Sequence, residues 1–208
     1  MVKINDKLRD KSRDKLSEKT QSILPNGTAT LAPRKDALGM KDPREKIGKG
    51  VFWKSLGIID ISEGPIKWCH VLRRDSKNNR KYRVEYAVPD SAIASKIHDI
   101  SLSHKQDDIS IKTDRVKKFP IFGKVVDMNW KSNRKNLKLV NSLNNDTTIK
   151  KTIMDTGNIE IRSYVEHGCW MIRVSNPILR SHRPKHSTKE EWICYLKITE
   201  YLLSSYNS

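Results

Sequence analysis

Cysteine is scarce in this chain. The three present, Cys69, Cys169 and Cys194, are too widely spaced and odd in number to build a disulfide framework. Apolar residues are also few, at 36% of 208 residues, and no run of them approaches a membrane span or a signal-peptide core. A soluble, intracellular protein with no membrane association is therefore expected. No glycine-rich phosphate loop and no nucleophile elbow is present, so no cofactor is expected and no recognised hydrolase or nucleotide-hydrolysing motif is available. Acidic residues are short as well: 24 Asp and Glu face 41 Lys and Arg, a formal net charge of +17.

That surplus is the strongest pointer in the sequence. Residues 1–50 hold 13 basic and 7 acidic residues, net +6, while residues 51–208 hold 28 against 17, net +11. The part with enough apolar residues to fold is thus basic in its own right. A surface of this kind attracts polyanions, and nucleic acid, DNA or RNA, is the partner it fits best. Lys outnumbers Arg 27 to 14, which favours attraction to phosphate over bidentate reading of bases.

The first residues repeat an acid–base pair every four positions: Asp6-Lys7, Asp10-Lys11, Asp14-Lys15, Glu18-Lys19. Like charges then fall at i,i+4 and opposite charges at i,i+3, so the helix-stabilising pairings partly cancel. Prolines and glycines punctuate residues 21–50. The expectation is a disordered basic arm and linker over 1–49, adding affinity by tethering or contacting an assembly partner, and one domain over 50–208.

From Val51 onward the pattern is that of strands. Phe52–Ile61, Ile66–Arg73 and Arg80–Val88 read as a three-stranded meander, with one face carrying Trp68, His70, Leu72, Tyr82, Val84, Tyr86 and Val88. His70 in this company reads as a core histidine. A short helix follows, capped by Asp90 or Ser91. Strands are expected near 109–113 and 121–130, a helix over 133–143, and either a helix or a strand over 147–155. A hairpin over 159–174 turns at His167-Gly168. The chain closes with a helix from Thr188 to Leu203, capped by Ser187 with Glu190 and burying Trp192, Leu196, Thr199 and Leu203. The fold class is α+β: a mainly antiparallel sheet, two or three short helices and a docked C-terminal helix.

Four basic constellations stand out. The first hairpin tip holds Arg73, Arg74, Lys77, Arg80, Lys81 and Arg83, a density beyond what a solvated turn needs and one a phosphate backbone would relieve. Asn78 and Asn79 could bond to sugar or base edges. In the second hairpin a two-residue turn sets Arg162 opposite Arg173, a like-charge pair that a phosphate, or Glu160 and Glu166, would neutralise. Tyr164 beside it, and Trp130, are candidate stacking platforms.

Lys131, Arg134, Lys135 and Lys138 would form one stripe of the 133–143 helix. With a second helix and the hairpin behind it, the order matches the tail of a winged helix. Arg180, Arg183 and Lys185 crowd the loop before the last helix, where His182 and His186 could be drawn with Cys169 and Cys194 as a zinc site. That set lacks the close cysteine pair structural zinc usually has.

Two alternatives belong to other classes. Asp155 and Glu160 could hold Mg²⁺ while Arg162 stabilises an attacked phosphate, as in a metal-dependent nuclease, although a lysine is usual at that place. The chain could also be a structural subunit of a nucleoprotein or viral assembly.

Overall fold

The computed structural model describes residues 13–32, 42–77, 79–95, 109–118, 125–135, 138–175 and 186–204. Among the described residues eight strands form one antiparallel sheet: β1 (Ala29–Leu31), β2 (Lys54–Ile61), β3 (Trp68–Ser76), β4 (Asn79–Pro89), β5 (Ser110–Lys117), β6 (Val125–Ser132), β7 (Asn158–Tyr164) and β8 (Cys169–Ser175). Their spatial order is β1-β2-β3-β4-β8-β7-β5-β6. Among the described residues the helices are α1 (residues 13–21), α2 (Ser91–Ser95), α3 (Lys138–Asn145), α4 (Thr147–Thr156) and α5 (Lys189–Ser204). The α+β class, the meander, the later hairpin and the docked last helix are all as the sequence indicates.

The helix-covered face of the sheet carries the main core. Leu56, Ile59, Val71, Val84, Tyr86, Ile111, Trp130, Ile161, Trp170 and Ile172 pack there against Leu16, Leu139, Leu143, Ile149, Ile153, Tyr195 and Ile198. Tyr86 anchors α5: its ring meets Trp192 edge-on at 5.7 Å and Tyr195 at 5.3 Å, and its hydroxyl lies 2.8 Å from Ser187 Oγ. Such aromatic pairs add to the area they bury. The reciprocal cap of α5 falls one residue later than expected, on Thr188 and Glu191 rather than Ser187 and Glu190. The buried stripe accordingly runs through Trp192, Tyr195, Ile198, Thr199 and Leu202, leaving Leu196 and Leu203 half-buried. Asp90 does cap α2, accepting from Ala92 N at 2.9 Å, and also accepts from Trp170 Nε1 at 3.0 Å.

The expected single face over Trp68, His70, Leu72, Tyr82, Val84, Tyr86 and Val88 is corrected by the hairpin register. Strands β3 and β4 continue until only residues 77 and 78 join them, with Ser76 opposite Asn79. Paired residues then have opposite parity: Trp68, His70 and Leu72 share a face with Ala87, Glu85 and Arg83, while Cys69, Val71, Val84, Tyr86 and Val88 face the helices. Trp68 and Ala87 join Ala32, Ile47, Ile58, Cys169 and Met171 in a second, smaller cluster on the opposite face.

Folding begins well before Val51. Helix α1 buries Arg13, Leu16, Ser17 and Thr20, and only one of these is hydrophobic. Its polar side chains reach backbone instead. Ser17 Oγ donates to Ala29 O at 2.7 Å, and Gln21 Oε1 accepts from Ala29 N at 2.7 Å. Gly57, at a bulge in β2 with φ +124°, lets the Arg13 guanidinium pass where a Cβ would sit 2.6 Å from Nη1. The turn Pro43–Lys46, capped by Asp42, and Ile47 cover the smaller cluster. Of the predicted arm, residues 1–12 and 33–41 lie outside the described residues, and 13–32 and 42–49 belong to the folded unit.

Later elements shift too. Residues 133–135 form a bend and turn, and α3 starts at Lys138. The ambiguous segment is helix α4, because Asp146 Oδ1 accepts from both Thr148 N and Ile149 N at 3.0 Å. Strands β7 and β8 lie inside the sheet with neighbours on both sides, so they are not a wing. At the β6 edge, Trp130 N donates to Asn144 Oδ1 at 2.7 Å, Asn144 Nδ2 donates to Trp130 O at 3.2 Å, and Asp127 Oδ1 accepts from Met128 N at 2.8 Å.

His70 is the core histidine the sequence suggests, fully buried with Nε2 2.9 Å from Ser55 Oγ. Burial pushes its pKa down to about 4, against a smaller opposing pull from Glu45. Between that value and the unfolded value near 6.5, the unfolded chain binds a proton the folded chain refuses, so stability falls as pH drops through this window. The expected loss is up to about 3 kcal/mol. Urea unfolding of wild type and His70→Gln from pH 7 to pH 4 checks it. The variant's acid slope should be shallower, and parallel curves would remove His70 from the account.

Candidate functional site

The face opposite the helices carries a row of directly paired residues that crosses seven strands. Ile58 lies opposite His70, His70 opposite Glu85, Glu85 opposite Arg173, Arg173 opposite Glu160, Glu160 opposite Lys112, and Lys112 opposite Lys131. Side-chain exposure rises along its charged part: 0% at Glu85, 6% at Arg173, 21% at Glu160, 58% at Lys112 and 71% at Lys131. The row therefore begins as a buried network and ends as open surface.

At the buried end, Glu85 pairs with Arg83 Nε at 2.7 Å and Arg173 Nε at 2.8 Å. Both arginines also donate to the Gly48 carbonyl, at 3.0 and 3.2 Å, and Arg173 bonds to the Tyr164 hydroxyl. Gly48 has φ +67°, and a Cβ there would stand 2.4 Å from Glu85 Oε2, so only glycine lets the 42–53 segment close over the pair. Burial pushes the Glu85 carboxyl up, against the pull of the two guanidiniums, and pushes Arg83 down, against the pull of Glu85. Glu160 ends below its ordinary range: burial raises it, but Arg162 at 2.6 Å outweighs burial, helped by Arg173 and Lys112.

This register overturns the expected Arg162–Arg173 pair. The loop is four residues, Val165–Gly168, not two, so Tyr164 meets Cys169 and Arg173 meets Glu160. Arg173 is flanked by acid on both sides, and Arg162 lies opposite Met171. Tyr164 is half-buried against the smaller apolar cluster with its hydroxyl engaged. Trp130 is 2% exposed and belongs to the main core, which rules it out as a stacking platform.

The other constellations disperse. Lys131 is a strand residue paired with Asp114 at 2.6 Å, Arg134 and Lys135 follow in an exposed turn, and only Lys138 is helical, so no common stripe exists. Asp155 is exposed on α4 on the helix side, near Arg115, whereas Glu160 lies on the other face beside Lys112. The two carboxylates do not converge. Cys169 and Cys194 are buried in clusters on opposite faces, so they cannot share a zinc ion, and no metal-holding cluster occurs among the described residues. Arg180, His182, Arg183 and Lys185 lie outside the described residues.

What does come together is a finger formed by the β3–β4 hairpin tip and the loop before β2. Residues 48–54 and 73–83 contain eight bases, Lys49, Lys54, Arg73, Arg74, Lys77, Arg80, Lys81 and Arg83, and one acid, Asp75. Arg83 points to the buried network and Arg73 pairs with Asp75 at 3.0 Å. Lys49, Lys54, Arg74, Lys77 and Lys81 are exposed, while the Arg80 side chain lies outside the described residues. Two aromatic rings rest on this base: Trp53 on the Arg83 guanidinium at 4.4 Å and Phe52 on that of Arg74 at 5.3 Å. The loop was missed in the sequence because Val51–Phe52 reads as a strand start. A useful signal was present in the aromatic pair beside Lys49 and Lys54.

Neutralising Glu85 tests the network. Glu85→Gln removes the buried carboxylate charge that Arg83 and Arg173 share and should cost about 3–5 kcal/mol in urea unfolding. Combining it with Arg173→Met should cost less than the two changes separately, with a coupling above about 1 kcal/mol. Simple additivity would show that the pair is not energetically joined.

Comparison with family models, curated proteins and solved structures returns no match for this chain.

Proposed function

We propose that the protein binds nucleic acid, DNA or RNA, mainly through phosphates, and that the finger is the contact. The charge distribution is what supports this. On the row across the sheet, every base has an acid beside it, Glu85, Glu160 or Asp114, so positive charge there is largely offset. On the finger, five exposed cations share a single acid already occupied by Arg73 and, at 3.5 Å, by Lys54. Exposed cations grouped on one hairpin repel one another. A phosphate backbone removes that repulsion and gains the entropy of released counterions. Ordinary solubility does not require the cations to cluster, and the base of the hairpin is fixed between β2, as far as Arg73, and β8, as far as Val84.

Fluorescence anisotropy with labelled oligonucleotides over a salt series tests this. The full chain should bind with an affinity that falls steeply with salt. The variant Arg74→Glu, Lys77→Glu, Lys81→Glu should lose at least about tenfold in affinity and flatten the log–log slope by about 2–3. These side chains are exposed, so the unfolding midpoint should hold. Undiminished binding by the folded variant would move the contact elsewhere, and no binding at low salt would end the proposal.

A further inference from the structure

The finger also presents an aromatic surface that phosphate binding alone leaves unexplained. Phe52 is 72% exposed and its neighbour Val51 94% exposed, although Trp53, the next residue, is folded down onto Arg83. Leaving a phenylalanine in water forgoes the gain from burying it, so the exposed ring needs an account. The Arg74 guanidinium lies over the ring at 5.3 Å, and at 72% exposure much of the ring remains open to a ligand.

We infer, resting on the nucleic-acid reading above, that the finger takes single-stranded rather than duplex nucleic acid, with Phe52 as a stacking platform for one unpaired base. A base lying on the exposed ring of Phe52 would complete a base–ring–guanidinium stack, with Lys49, Lys54, Lys77 and Lys81 around it for the flanking phosphates. Bases inside a duplex keep their faces against one another and cannot make this contact. Stacking is indifferent to base identity, so little sequence preference follows. An anionic membrane is the less fitting partner. Insertion calls for several bulky apolar residues on one surface, and here only Val51 and Phe52 are exposed, at a site otherwise lined with lysine.

The test uses the full chain, labelled single strands and duplexes of about 12 nucleotides, and vesicles containing phosphatidylserine. Single strands should bind more tightly than duplex of equal length. Phe52→Ala and Phe52→Leu should each weaken single-strand binding about tenfold without lowering the unfolding midpoint, and Phe52→Trp should retain it. The introduced indole should also be quenched on adding oligonucleotide, a signal that charge attraction alone does not give. Equal binding of single strand and duplex, with Phe52→Ala silent while the charge-reversal variant still fails, would overturn the stacking role and leave the phosphate contact standing. Vesicle binding that depends on Phe52, with no preference for single strands, would replace the inference with a membrane contact. Failure of every nucleic acid to bind would remove both proposals.

Discussion

The organisation of this domain depends on one buried carboxylate. Glu85 sits at the centre of an eight-stranded sheet, with no exposure, between the guanidiniums of Arg83 and Arg173. Taking three charges out of water is expensive, and mutual attraction repays it only where the geometry is good and the remaining donors are satisfied. The Gly48 carbonyl and the Tyr164 hydroxyl take further donors of the two guanidiniums, so the network ties β4, β7 and β8 to the covering segment. Arg83 links it outward, since the same guanidinium that meets Glu85 carries Trp53. The exposed loop thus rests on a guanidinium whose other partner is a fully buried carboxylate.

The chain's surplus of positive charge is therefore unevenly used. Across the sheet face, acids interrupt the bases at nearly every step, and the arginines there serve cohesion. On the finger the acids run out. A formal charge of +17 says nothing about this division, because it depends on which strand lies beside which and at what offset.

Those offsets explain what could and could not be read from the chain. Local patterns survived: the meander, the Asp90 cap, the final amphipathic helix and the basic hairpin tip all follow from neighbours in sequence. Register did not, because it hangs on loop length. A two-residue turn placed Arg162 against Arg173, whereas the four-residue turn with Gly168 in a left-handed conformation gives Arg173 to Glu160. Helix α1 escaped notice for a different reason. Its inward face is Arg13, Ser17 and Thr20 around a lone Leu16, so hydrophobic periodicity has nothing to register, and its docking rests on side-chain bonds to strand backbone. The Val51–Phe52 tip was legible as residues but not as a surface, since only the packing of Trp53 shows which ring is left outside.

The treatment of the two outer strands has its own consequence. Ala29 on β1 has both backbone groups taken by Gln21 and Ser17, and Trp130 on β6 has both taken by Asn144. Side-chain amides and a hydroxyl thus do what a further strand would otherwise do. Copies of the domain crowded side by side would find these two positions already occupied, which blunts both outer strands against pairing with another sheet.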